Sequence, residues 1–144
     1  MYRWNHLTMA LMLVLLLPLP AAAGDFDGSK PLLCAFMDII ECSDGGECME
    51  VTPESINAPR FIEIDFKRKK ISGTRAGGEK ATTEIKNTER IDGKLILQGM
   101  ENGQENVRDG LGWSLAIQED TGKMVLTGSG DGAGFVVFGA CTPS

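Results

Sequence analysis

Apolar side chains recur at every second position through most of this chain, and that period decides what it can fold into. Leu111, Trp113, Leu115 and Ile117 share one face at a strict spacing of two. Ile62, Ile64 and Phe66 do the same, as do Leu95 with Leu97 and Met124 with Leu126. Successive side chains of a strand point to opposite faces, so this spacing marks strands with one buried side. Turn formers separate the runs: the basic run Lys67-Arg68-Lys69-Lys70, the loop Arg75–Glu79, Asp92-Gly93, Asp120–Gly122 and Ser129–Gly132. Asp-Gly between two such runs is a strong signal for a two-residue hairpin.

Other segments are less regular. Residues 31–42, PLLCAFMDIIEC, carry a helical stripe (Leu33, Phe36, Met37, Ile40) but are also short and apolar, as a buried strand is. They read as a strand, because a natural reversal follows and Cys48-Met49-Glu50-Val51 can pair back on it. Thr52-Pro53-Glu54-Ser55 has the residues of a helix start, and Ala58-Pro59 stops it after one turn. Thr82 to Ile91 is polar and Thr-rich, which suggests an exposed or edge strand. Residues 99–110 read as the longest loop, and residues 24–30, GDFDGSK, as a flexible leader. The sum is an all-β chain of about eight or nine short strands in an antiparallel meander. Closure manages the edges of such a sheet most completely. A small up-and-down barrel or curved half-barrel is therefore expected for a single β-domain over residues 31–144, with a two-sheet sandwich as the alternative.

The N-terminus has a different character. Arg3 precedes an apolar run from Leu7 to Leu17, Pro18 and Pro20 end it, and Ala21-Ala22-Ala23 supplies small residues. This is the layout of a cleaved signal peptide over residues 1–23, too short and too proline-broken for a spanning helix. Removing it takes away the only His, His6, and the only Tyr, Tyr2, and leaves Trp113 as the only Trp. What remains has 13 basic and 20 acidic residues, a net charge of −7. That charge speaks against nucleic acid and anionic membrane surfaces. The basic run at Lys67–Lys70 reads as a solvated turn.

Cys34, Cys42, Cys48 and Cys141 make an even count in an exported chain, which reads as two disulfides. Cys-x7-Cys-x5-Cys followed by a gap of 92 residues matches no common zinc spacing. The Ser-Asp-Gly-Gly-Glu reversal favours Cys42–Cys48, which leaves Cys34 for Cys141 and ties the first strand to the last.

Without His, the usual Ser–His–Asp and Cys–His arrangements and imidazole metal sites are unavailable. Paired carboxylates remain, as in glycoside hydrolysis. Glu63 and Asp65 share a strand face but read as solvent-facing by alternation alone. Asp38, between Met37 and Ile39, reads as partly buried, with a Lys or Arg partner as the ordinary answer. The Asp25-Phe26-Asp27-Gly28 and Asp131-Gly132 segments offer oxygens for calcium but read as plain turns. Trp113 reads as core rather than as a stacking platform. No Gly-rich loop leads from a strand into a helix, so no nucleotide cofactor is expected.

The segments LLCAFMDIIECSDGGEC, INAPRFIEIDF and DTGKMVL with GFVVFGAC together resemble a group of small exported four-Cys proteins of Gram-negative bacteria. The resemblance covers most of residues 32–142. It implies a periplasmic location and no catalytic residue. The leading expectation is a non-enzymatic exported binding module, periplasmic or extracellular, with no cofactor, acting as an acidic partner or inhibitor of a basic protein. The second is a carrier of a small apolar ligand of the calycin type, with Trp113 and Met100 lining the mouth. The third is a carboxylate-dependent hydrolase using Asp38, Glu63 and Asp65.

Overall fold

The computed structural model describes residues 24–103 and 110–144. The period-two runs become β1 (Leu32–Ser43), β2 (Cys48–Val51), β3 (Pro59–Asp65), β4 (Lys70–Arg75) and β5 (Lys80–Ile91). They continue as β6 (Lys94–Glu101), β7 (Leu111–Gln118), β8 (Lys123–Gly130) and β9 (Ala133–Pro143). No described residue is helical. The signal-peptide reading falls on residues 1–23, outside the described residues.

Every strand pairs antiparallel with its neighbours, and β9 returns to β1 from Leu32↔Pro143 to Ser43↔Ala133. The meander thus closes into a barrel, and the sandwich alternative is set aside. A strand has only two hydrogen-bonding edges. β9 occupies one edge of β1 along its whole length, so β2 and β3 share the other. Ile39–Cys42 pair with β2, and Leu32–Ala35 with β3. The result is an eight-stranded barrel with β2 as an extra short strand above β3.

Both disulfides join directly opposed residues. Cys34–Cys141 crosses the β1–β9 seam, and Cys42–Cys48 holds β2 on β1. Both pairings are those expected from the spacing. Two disulfides mark an oxidising, non-cytoplasmic compartment.

The barrel has a floor and a mouth. The turns 66–69, 92–93 and 119–122 lie at the floor, and the connections 44–47, 52–58, 76–79 and 131–132 at the mouth. Asp92 and Gly93 both take positive φ, 50° and 70°, as a two-residue hairpin of this twist requires. Toward the floor the interior is packed solid by Leu32, Ile64, Leu95, Leu97, Leu115 and Ile117, none exposed beyond 1%.

The connections and strand boundaries differ from the sequence expectation in three places. Residues 24–30 are not a free leader: they fold under the floor, where Phe26 packs against the core. A Cβ on Gly122 would stand 2.5 Å from the Phe26 ring, so glycine makes room for that plug. Arg90 fastens it, donating to the Asp27 carbonyl at 2.6 Å, with its Nε 2.8 Å from the Glu119 carboxylate as an ion pair. Second, residues 99–101 are strand, not loop: β6 runs through Gly99 to Glu101, because Met100 pairs with Gly112 and Glu101 with Leu111. Third, the Thr52–Ser55 segment closes a turn but no helix, with Ser55 N–H donating to Thr52 Oγ1 at 3.3 Å.

Three outcomes follow for stability. Replacing Cys34 and Cys141 together by Ala should lower the unfolding free energy in urea by about 4 kcal/mol, as expected for a closed loop of roughly 100 residues. The Cys42/Cys48 pair should cost about 2 kcal/mol. The hydrogen bond from Ser29, with the Arg90 charge adding, holds the Asp27 carboxyl below its ordinary value. A depressed folded value contributes stability that is present above the ordinary carboxylate range and is lost as pH falls through the folded value. Acidification below about pH 4 should therefore loosen the plug first, read as loss of Phe26 ring contacts by NMR before the barrel unfolds.

Candidate functional site

The interior is not filled to the top. Inward positions on β4, β6 and β8 are large near the floor and become glycine toward the mouth: Ile71 to Gly73, Leu97 to Gly99, Leu126 to Gly128. The three glycines serve different purposes. A Cβ on Gly99 would lie 2.3 Å from the Trp113 ring and 2.4 Å from the Glu84 carbonyl. Gly99 is the direct cross-strand partner of Trp113, so its missing side chain is the slot that the indole occupies. Gly73 is closely covered by Pro59 and the Phe61 carbonyl. Gly128 has only Leu111 at 3.5 Å and the Gly112 carbonyl at 3.8 Å nearby. It leaves room rather than yielding it to a neighbour.

The outcome is a cavity of about 220 Å³ in the mouth half of the barrel. Phe36, Ile56, Trp113, Leu126, Phe135 and Val137 are among the residues that line it. Ile56 comes from the connection 52–58 and brings that segment over the rim.

Trp113 is 8% exposed and held at a fixed angle. Its indole N–H donates to Thr83 Oγ1 at 3.0 Å, and the Thr83 hydroxyl donates to the Met100 carbonyl at 3.0 Å. The relay satisfies the one polar atom of the ring and leaves its apolar face to the cavity. At the rim, Arg75 from β4 pairs with Glu101 from β6, reaching across β5. Each side chain is about two-thirds covered, so the pair is partly desolvated and mutually neutralised.

Of the residues singled out from the sequence, only Trp113 stands at this cavity. Met100 lies on the outer face of β6, 64% exposed, and does not line the mouth. Its neighbours Gly99 and Glu101 face inward, and alternation turns Met100 out. Asp38 is exposed, not partly buried. A register shift between Phe36 and Asp38 sets two residues of β1 against one of β9, and the bulge puts Met37 and Asp38 both at the surface. Glu63 is exposed on β3, and Asp65 accepts the Arg68 N–H at 2.9 Å in the next turn. These three carboxylates do not converge, so the facing pair that hydrolysis needs is not formed by them. Asp25 pairs with Lys30 and Asp27 accepts the Ser29 N–H, as turn residues do.

The sequence reading missed Arg75, Glu101, Ile56 and Gly128. One signal for the last was present, the step from Leu126 to Gly128 at an inward position. Nothing local marks Arg75 and Glu101 as partners, since 25 residues separate them.

Gly99→Ala should be destabilising by about 3 kcal/mol, because one of the groups it meets is backbone and cannot move aside. Trp113 emission should shift to the red in the same variant, reporting a ring forced toward solvent. Gly128→Ala should change stability by less than about 1 kcal/mol in the same urea titration.

No family model matches the chain, and comparison with curated proteins and with solved structures found no match to it.

Proposed function

We propose that the protein is a non-enzymatic exported binding module, periplasmic in location, that carries a small apolar ligand in the mouth of its barrel. The observation that carries this reading is the one-ended apolar cavity: about 220 Å³, walled by aromatic and aliphatic side chains, in a barrel whose other end is plugged. Eight strands enclose just enough space for side chains or for one small ligand. A dry cavity of about 150 Å³ takes benzene. The larger space here suits a ligand of roughly ten heavy atoms, such as a substituted ring or a short acyl chain. The Arg75–Glu101 pair favours a neutral polar head, because a charged head would have to break a partly desolvated ion pair.

Trp113, the only Trp after residue 23, is the natural reporter. Titration of the mature protein with 1-octanol or naphthalene should change Trp113 emission saturably. At about 0.5 kcal/mol per heavy atom, the dissociation constant falls near the sub-millimolar range. Gly128→Leu, which fills the space, should abolish the response without lowering stability. An unsaturable response, or one unchanged in Gly128→Leu, would sink the proposal.

A second reading, an acidic partner of a basic protein, is favoured by the distribution of charge. β1, β2 and β9 are adjacent and carry no Lys or Arg, while Asp38, Glu41 and Glu50 lie on them. Opposite charge speeds encounter and selects partners.

A further inference from the structure

The barrel wall is closed everywhere along the described residues except at β2. β4 pairs with β3 from Pro59↔Arg75 to Asp65↔Lys70 and goes no higher, so β2 has β1 on one side and no strand on the other. Ser43 N–H donates to the Glu47 carbonyl at 3.0 Å, which makes that pair a hydrogen-bonded one. Bonded and non-bonded pairs alternate along an antiparallel ladder. Met49 and Val51 therefore bond to β1, while the N–H and C=O groups of Cys48 and Glu50 point away from it. Among the described residues nothing pairs with them. A four-residue strand on a short reversal is marginal by itself, and here the Cys42–Cys48 disulfide keeps it in place.

We infer that the outer edge of β2 is a docking site for an extended segment of a partner protein in which basic and apolar residues alternate. This rests on the acidic-partner reading given above and names its place and geometry. A strand added to a free edge gains main-chain hydrogen bonds, and its side chains alternate against those of the host strand. Met49 and Val51 lie on one face of β2, Cys48 and Glu50 on the other. Met49 is 60% exposed and offers apolar contact. Glu50 presents charge on the opposite face, with Asp44 and Glu47 in the adjoining reversal. An incoming strand thus meets Met49 on one side and the Glu50 carboxylate on the other, with the acidic reversal at the end of the edge. Arg60, the nearest basic residue along the chain, is already paired with Glu54 at 2.6 Å. A second copy of this chain is a poor occupant, because pairing would bring together two edges of like charge, each with Asp44, Glu47 and Glu50 and no Lys or Arg.

The probe is the peptide acetyl-Val-Lys-Val-Lys-Val-Lys-Val-amide, with Glu in place of Lys as control. At low salt the Lys peptide should bind, and amide hydrogen exchange at Cys48 and Glu50 should slow at least tenfold. Glu50→Pro removes an outward N–H together with the Glu50 carboxylate and keeps the bonds to β1, whereas Glu50→Gln removes the charge alone. Glu50→Pro should bind the Lys peptide at least tenfold more weakly than Glu50→Gln. If the two variants bind it equally, edge pairing is overturned while the acidic-partner reading stands. Equal binding of the Glu peptide, or no binding of either, overturns both. Dimerisation through β2 in sedimentation overturns the choice of occupant.

Discussion

The seam between β1 and β9 is the contact on which everything else in this molecule depends. Without it the meander is an open curved sheet, with two long edges and an apolar face in water. With it the inward side chains of eight wall positions meet one another. The Cys34–Cys141 bond lies inside that seam, buried at both ends, between two residues that the ladder already opposes. The bond and the ladder constrain the same register, so a slip by one residue would break both. Such a slip would also turn Ile39 and Val137 out of the core.

Closure creates the interior, and side-chain size then divides it. Branched aliphatic residues fill the lower part and are fully buried there. Above them, glycines at inward positions let the Trp113 indole lie flat against the wall and leave unfilled space beside it. The Trp113–Thr83–Met100 relay matters because it satisfies the indole N–H within the wall. The cavity can then stay apolar without burying an unpaired donor.

Much of this was legible in the sequence, for reasons that can be named. Strand character follows from period two at Leu111–Ile117, and hairpins from Asp92-Gly93 and its counterparts. Disulfide pairing follows from the short reversal between Cys42 and Cys48. These are local signals, each contained within about ten residues. What escaped depends on events that leave no local trace. The bulge at Phe36 and Asp38 turned Asp38 outward, and it is a property of the pairing with β9. Phe26 in its polar leader looks like a lone apolar residue until the floor of the barrel exists to receive it. Arg75 and Glu101 become neighbours only once β5 separates their strands. Trp113 was legible as an inward residue, but its part in a cavity wall depends on Gly99 and Gly128 on two other strands.

The plug beneath the floor also gives the molecule a direction. Residue 24 and Ser144 both leave from that end, and the Ser144 N–H donates to the Pro31 carbonyl at 3.1 Å. The cavity mouth and β2 lie at the opposite end. Residue 24 and Ser144 therefore both sit at the closed base, and both candidate contact regions point away from it. A molecule held at that base would present its mouth outward, like a cup held by its foot.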